Sequence, residues 1–450
     1  MKKYNRLLSS PLPIILLALC ALASVQNAFA QRAPDADPGK LKFVVVLSRH
    51  GVRSPTGSVE QLNQYSAQPW PRWNVPPGDL TPHGAKLMTI FGGYYRAYFA
   101  QQGLLGAAGC ADAAHVSFYA DSDQRTAETG KALALGMFPD CPAGARPEQH
   151  ALPVGEADPL FHSLAAGVGQ ADRGRAVASI AGRIGDDPKG LTEAYRPQLE
   201  ALERVLLGCP TATPCPAPGY TAAKLLLSTP ASLESGKGDH LAELKGPLNT
   251  AATITENFLL EYADGMPMDQ VGWGRVDLAT LKQLLDLHTA ASDLTRRSSY
   301  LATAQASNLV AHILNTMDQA VSGKAVRGAL GKPGDRAVVL VGHDTNLSSI
   351  AGMLNLNWLL DGRRDDTPPG GALVFELWQR PDDSRYQVRI YYIAQTLEQM
   401  RSLTPLTLNQ PPGKANLFLP GCSTGAVNYP CDWAGFSQAL MRAIDPASVL

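Results

Sequence analysis

Charge is scarce and nearly balanced in this 450-residue chain: 18% of residues are Asp, Glu, Lys or Arg, and the formal net charge is −1. Nucleic acid is held by a broadly basic surface, which this balance does not supply, so any anion site must be local. Beyond the first 30 residues there is no apolar run of the roughly 20 residues that a membrane-spanning helix needs. No C-x-x-C pair and no paired Cys/His spacing occurs, which argues against a zinc site. Repeats, heptads and low-complexity tracts are also missing. GWGR at Gly272 has neither the spacing nor the preceding strand of a nucleotide fingerprint. A hydrophobic content of 45% provides for two domains, or one large α/β domain with an insertion.

Lys2, Lys3 and Arg6 precede an apolar run, 11–25, and Ala28-Phe29-Ala30 follows it. That order of charged, apolar and small residues predicts a secretory signal peptide over 1–30. A lipid anchor on Cys20 is the rival reading, and Leu19 before that cysteine fits it poorly. Cleavage leaves 36 Lys and Arg against 40 Asp and Glu, a net charge of −4. The expectation is an exported, periplasmic protein with no membrane or nucleic-acid partner, and a monomer. Six cysteines then remain: Cys110, Cys141, Cys209, Cys215, Cys422 and Cys431. An even count in an exported chain predicts disulfides, for which sequence alone allows fifteen connectivities. Nearest-neighbour pairing is the simplest, with Cys209–Cys215 and Cys422–Cys431 closing short loops.

Two continuous apolar, β-branched runs, LKFVVVL at 41–47 and AVVLV at 337–341, have the character of buried parallel strands. Each is followed at once by a polar cluster, SRHG and GHDTN. Ligands of open α/β sheets lie outside the carboxyl ends of the strands, so neighbouring strands would bring the two clusters into one crevice. A third strand, VSFYA at 116–120, ends in DSDQRT. Helices are predicted over 82–103 and 124–136 and from about Asn346, and further strands at 373–378 and 388–393. The expected fold is α/β, a mostly parallel sheet flanked by helices over 41–165 and 296–450, with a smaller all-α domain inserted at 166–295.

In LSRHGVRSPTG, Arg49 and Arg53 flank His50, and no Asp or Glu lies between Lys40 and Val59 to pair with them. Guanidinium forks match phosphate oxygens and stay charged at every relevant pH. A neutral imidazole among them can attack phosphorus directly, with the arginines stabilising the charge on the transferring group. His343 offers a donor to a phosphate oxygen, and Asp344 an acid for the leaving alkoxide. Asp344 also suits the N-cap of the following helix, and both roles hold together. The metal-binding HD dipeptide of HD-domain hydrolases is excluded here, because this pair follows a strand and its supporting ligands are missing. Arg125 in DSDQRT is a third phosphate clamp, with an ion pair to Asp121 or Asp123 as the alternative, and Thr56 is a possible hydroxyl donor. The other histidines are scattered without ligand spacing and read as structural.

With RHGVRSPT near the start of the mature chain and GHDTN late in it, the sequence resembles the histidine acid phosphatases, branch two of the histidine phosphatase superfamily. The likeness is to phytases and glucose-1-phosphatases of enteric bacteria, and it runs through LTPHG, DSDQRT, FLLEYADGMP, TPPGGALVFE and QTLEQMR. It implies that His50 is the phosphorylated nucleophile and Asp344 the proton donor. Arg49, Arg53, Arg125 and His343 would bind the scissile phosphate, Thr56 would line its pocket, and no cofactor or metal would be needed. It also implies neighbour pairing of all six cysteines, Cys110–Cys141 included. The substrate is a small-molecule phosphate monoester, phytate or a sugar phosphate. Gly57 replaces a lysine of the phytases, LHTAASD lacks their Gln and aromatic, and PMDQV looks like the glucose-1-phosphatases. Gly51, Thr345 and Glu256, a pocket acid, follow the phytases. A non-catalytic phosphate-ester binder is the reading from another class, and retention of both His50 and Asp344 argues against it.

Overall fold

Successive side chains of a strand face opposite ways, so a strand covered on both faces must be apolar at nearly every position. Strand β1 (Lys40–Arg49) meets that condition from Phe43 to Leu47 in the computed structural model, which describes residues 39–209, 215 and 224–450. The expected signal peptide lies outside the described residues, as does most of the Cys/Pro/Thr-rich loop after Gly208. Residues 40–450 form one compact unit.

After β1 the chain runs through a short helix α1 (Val59–Asn63) to α2 (Pro82–Gln101), then β2 (Val116–Ala120), α3 (Gln124–Met137) and β3 (Gln149–His150). Helices α4 (Arg173–Ile184), α5 (Pro188–Ala194) and α6 (Arg196–Leu207) follow. A two-stranded hairpin, β4 (Ser232–Ser235) and β5 (Ala242–Lys245), leads into α7 (Pro247–Ala263), α8 (Leu278–Thr295) and α9 (Ser299–Ser322). The chain returns to the sheet with β6 (Ala337–Gly342) and leaves it as α10 (Asp344–Leu354). A small hairpin, β7 (Leu359–Leu360) and β8 (Arg363–Arg364), precedes the long strands β9 (Ala372–Gln379) and β10 (Tyr386–Ala394). Helix α11 (Leu397–Arg401), β11 (Gly413–Leu417), β12 (Cys431–Asp432) and α12 (Trp433–Ala443) complete it.

The main sheet has the order β11-β10-β9-β1-β6-β2-β3, with β12 pairing β10. It is parallel from β1 through β6 and β2 to β3, and antiparallel from β1 outward through β9 and β10. The fold class is α/β, and β1 and β6 are neighbours, with Arg49 in register with Gly342. Phe43, Val45 and Leu47 pack on one face with Leu309, Ile313 and Ile350 of α9 and α10. Val44 and Val46 pack on the other with Phe91, Tyr95 and Leu133 of α2 and α3. A third core joins α6, α7 and α8 through Leu199, Phe258 and Leu284, and it includes Val52 of the RHGVR loop. Among its described residues, segment 166–295 carries helices α4 to α8 and also the β4–β5 hairpin, whose strands are too short to leave a period-2 signal. Disulfides join Cys110 to Cys141, Cys209 to Cys215 and Cys422 to Cys431. Among the described residues no helix is long and apolar enough to cross a membrane.

Candidate active site

The RHG turn is held from both sides by backbone. His50 N donates to the carbonyl of Gly342 at the end of β6 at 2.9 Å, and Gly370 N donates to the carbonyl of His50 at 2.9 Å. Arg49 N donates to Gly371 O at 2.8 Å, and its Nη1 to Thr367 O at 2.6 Å. The TPPGG segment is therefore a clamp on Arg49 and His50, and Gly370 supplies the positive φ of +73° that its turn requires. On the far side α2 begins against the loop: Thr81 caps it by accepting from Gly84 N at 2.8 Å. A Cβ on Gly84 would lie 2.2 Å from Val52 O, so only glycine lets the helix start this close.

His50 is 2% exposed, and its Nδ1 lies 2.9 Å from Gly51 O. A carbonyl oxygen only accepts, so Nδ1 carries the proton and Nε2 of the neutral ring keeps its lone pair. Burial, and then the charges of Arg49 and Arg53, push the His50 pKa well below the usual histidine range. Arg49 is fully buried; burial opposes its charge, but the carboxylates of Asp344 and Glu256 outweigh that and hold its pKa above the ordinary value. Glu256 accepts from Nη2 of Arg49 and, at 3.4 Å, from Nη2 of Arg53. Burial works against ionisation of Glu256, yet the two guanidinium groups keep its carboxyl below the usual range.

From β6, His343 stands before α10, and its N–H donates to Asn346 Oδ1 at 2.8 Å. Its ring lies 5.6 Å from that of His50, centroid to centroid. Nε2 of His343 donates to Asp121 Oδ2 at 2.5 Å, which commits the donor of the neutral ring. Asp121 Oδ2 also faces Nε2 of His162 at 3.1 Å, while Nδ1 of His162 meets Asp239 Oδ2 at 2.7 Å. Donating hydrogen bonds to Asp121 and Asp239, His162 has its pKa raised to about 10 and is an imidazolium. Burial opposes the ionisation of Asp121, and its bonds from His162 and His343 override it. Arg125 pairs with Asp123 and lies beside Thr56 over Gly78, where one added Cβ would meet both, at 3.5 and 3.4 Å. Thr56 is exposed at the rim.

Asp344 is paired with Nη1 of Arg296 and accepts from Thr345 N at 3.0 Å. Burial favours its neutral form, but Arg296, Arg49 and His288 hold it well below the usual carboxylate range. His288 and Glu256 share this part of the site with Asp344, their ligand-type atoms within 4.8 Å of one another. Asp121, His162 and His343 form a second such group. Fixed positive charge from Arg49 and Arg296 opposes a cation in the first, and the imidazolium of His162 opposes one in the second; the site is built for an anion.

The structure thus brings together Arg49, His50, Arg53, Glu256, His343 and Asp344, with Arg125 and Thr56 alongside. Asp121, His162, Asp239, His288 and Arg296 escaped the sequence reading. His162 and His288 read as structural, and no spacing marks them, because their partners lie far away in the chain. Asp121 entered only as a partner for Arg125, and the structure gives that role to Asp123.

A histidine lone pair ringed by buried guanidinium groups at the carboxyl ends of parallel strands defines a phosphoryl-transfer site. A profile of the histidine phosphatase superfamily (branch 2) matches residues 40–179 and 247–393, and the chain belongs to that family. It is a histidine acid phosphatase, and its substrates are small-molecule phosphate esters. Phytase AppA of Escherichia coli (strain K12) is 36% identical over 437 residues, 96% of this chain and 98% of the relative. A glucose-1-phosphatase of Salmonella typhimurium is 30% identical over 439 residues, 95% of this chain and 98% of that protein. Among solved structures, Hafnia alvei phytase in complex with tartrate superposes with a TM-score of 0.82 at 34% identity, covering 93% of this chain and 100% of that one. The same phytase in complex with myo-inositol hexakis sulphate gives 0.80 at 34% identity, covering 93% and 100%.

Proposed function

We propose that this enzyme is an exported phytase with broad acid phosphatase activity, acting through a phosphohistidine on His50. The observation that carries the mechanism is the fixed tautomer of His50 among buried guanidinium groups: its free Nε2 remains unprotonated at acidic pH. Nε2 attacks phosphorus, the ester P–O bond breaks, and Asp344 gives its proton to the leaving oxygen. Water then attacks the phosphohistidine, Asp344 takes a proton back, and inorganic phosphate leaves. Arg49, Arg53 and Arg125 bind the equatorial oxygens. A bound phosphate dianion displaces Glu256 and Asp123 from those arginines, and it favours a second proton on His343, which then donates to phosphate. Thr56 lines the rim.

Phytate is favoured as substrate by the phytase relatives, one of which was solved with a six-sulphate inositol ring. The second reading is a sugar-phosphate phosphatase, supported by Gly57, by PMDQV and by the glucose-1-phosphatase relative. Export is supported by the charged and apolar pattern of 1–30 and by three disulfides, which suit an oxidising compartment such as the periplasm. The test is kcat/KM on phytate and on glucose 1-phosphate at acidic pH with a chelator present, for the wild type and His50→Ala. A preference for phytate that His50→Ala abolishes is expected. Loss of wild-type activity in chelator, or turnover by His50→Ala, refutes the mechanism; preference for glucose 1-phosphate replaces the substrate.

A further inference from the structure

The proposed acid, Asp344, has its carboxylate held by Arg296. Arg296 lies between α8 and α9 with its side chain 27% exposed, whereas that of Asp344 is 11% exposed behind it. Arg296 also lines a cavity of about 290 Å³ with Lys245, Asn249, Thr295, Gln305 and Thr345. Asn249 stands in the first turn of α7 and Thr345 in that of α10, where the positive end of each helix favours an anion, although the N–H of Thr345 is already given to Asp344. His240 and Glu243 also line it, and Lys245 is anchored by Glu234 at 2.6 Å. The remaining neighbours of Asp344 are fixed in other ways. Arg49 of β1 and Arg53 of the loop are held by Glu256 of α7, and His288 of α8 lies behind. Arg296 is the partner of Asp344 that also opens onto a cavity able to take a second anion.

We propose that Arg296 determines specificity for polyphosphorylated esters: it holds Asp344 while the site is empty and turns to a second phosphate of the substrate in this cavity. That exchange leaves Asp344 free to take a proton from solvent and pass it to the leaving oxygen as the P–O bond to phosphorus breaks and the bond to His50 forms. An ester with one phosphate has no group to draw Arg296 away, so its turnover waits on protonation of Asp344 against that charge. The inference rests on the proposed roles of His50 and Asp344.

The experiment compares wild type, Arg296→Gln and Arg296→Lys on phytate and on glucose 1-phosphate, with kcat and kcat/KM followed from pH 3 to 8. For Arg296→Gln the ratio of kcat/KM on phytate to that on glucose 1-phosphate falls about tenfold or more, the worth of one charge-assisted contact. With the cation gone, the basic limb of kcat on glucose 1-phosphate moves to higher pH. Arg296→Lys, which keeps the charge and stands in should the Gln variant fold poorly, falls between the two in both readouts. Equal losses on both esters with an unmoved basic limb overturn the inference and leave the proposed function standing. Wild-type turnover of glucose 1-phosphate but not phytate overturns the second-phosphate role together with the phytase reading. No wild-type turnover of either ester overturns the proposed function itself.

Discussion

Glu256 pairs with Arg49 and Arg53, the groups proposed to hold phosphate, and competition between the two anions has measurable consequences. Removing its charge takes away the carboxylate paired with both buried guanidinium groups and leaves them only the field of Asp344, so Glu256→Gln lowers stability by about 3 kcal/mol in phosphate-free buffer. Inorganic phosphate then raises the melting temperature of Glu256→Gln more than that of the wild type, which thermal denaturation with and without phosphate checks. Equal shifts would mean that Glu256 and phosphate do not compete. Asp344→Asn slows esters with poor leaving groups at least tenfold more than aryl phosphates, because only the former depend on a proton. Paired kcat measurements on glucose 1-phosphate and an aryl phosphate decide it. Arg49, His50 and Arg53 were legible in the sequence because they fall within five positions and lack any local acid. Arg296, Asp121 and His162 were not, since what makes them part of the site is proximity across long stretches of chain.

Among the elements, β1 and β6 declared themselves by unbroken apolar runs, which only a strand covered on both faces requires. The β4–β5 hairpin did not, because two four-residue strands offer too few alternations. Yet the loop between them carries Asp239, which reaches His162 and so the donor side of the site. Helix α7 carries two acids with opposite fates. Glu256 faces the arginines and stays ionised, whereas Glu261, 1% exposed and accepting only from Gly272 N at 3.0 Å, has its pKa pushed up to about 8 by burial. A carboxyl that binds its proton more tightly when folded stabilises the fold below its unfolded pKa of 4.5, and that contribution is lost as pH rises through about 8. Glu261→Gln, permanently neutral, is therefore expected to melt a few degrees above the wild type at pH 8 and close to it at pH 4. Melting curves at the two pH values test this, and a gain of the same size at both would show that Glu261 is not the titrating group.

At the scale of the molecule, the composition foretold an anion site that is local: the net charge is near zero, while the pocket concentrates arginines around one histidine. The even cysteine count foretold disulfides but not their partners. The Cys110–Cys141 bridge closes the longest of the three loops, with a sequence separation of 31. Replacing both cysteines by Ala lowers stability by about 3 to 4 kcal/mol on the chain-entropy account. Denaturant unfolding of the double variant measures it, and a loss below 1 kcal/mol would mean the unfolded chain is little constrained by that bridge.

The pairing of β1 with β6 joins Val44 to Ala337 and Arg49 to Gly342. Side chains alternate along a strand, so a slip of one residue would turn Arg49 and its neighbours to the opposite face. Every chain that hydrolyses an ester has therefore closed this long-range strand pairing correctly. Recovered activity after refolding counts correctly registered molecules, and it separates them from compact misfolded ones that a spectroscopic signal of helix and sheet would include.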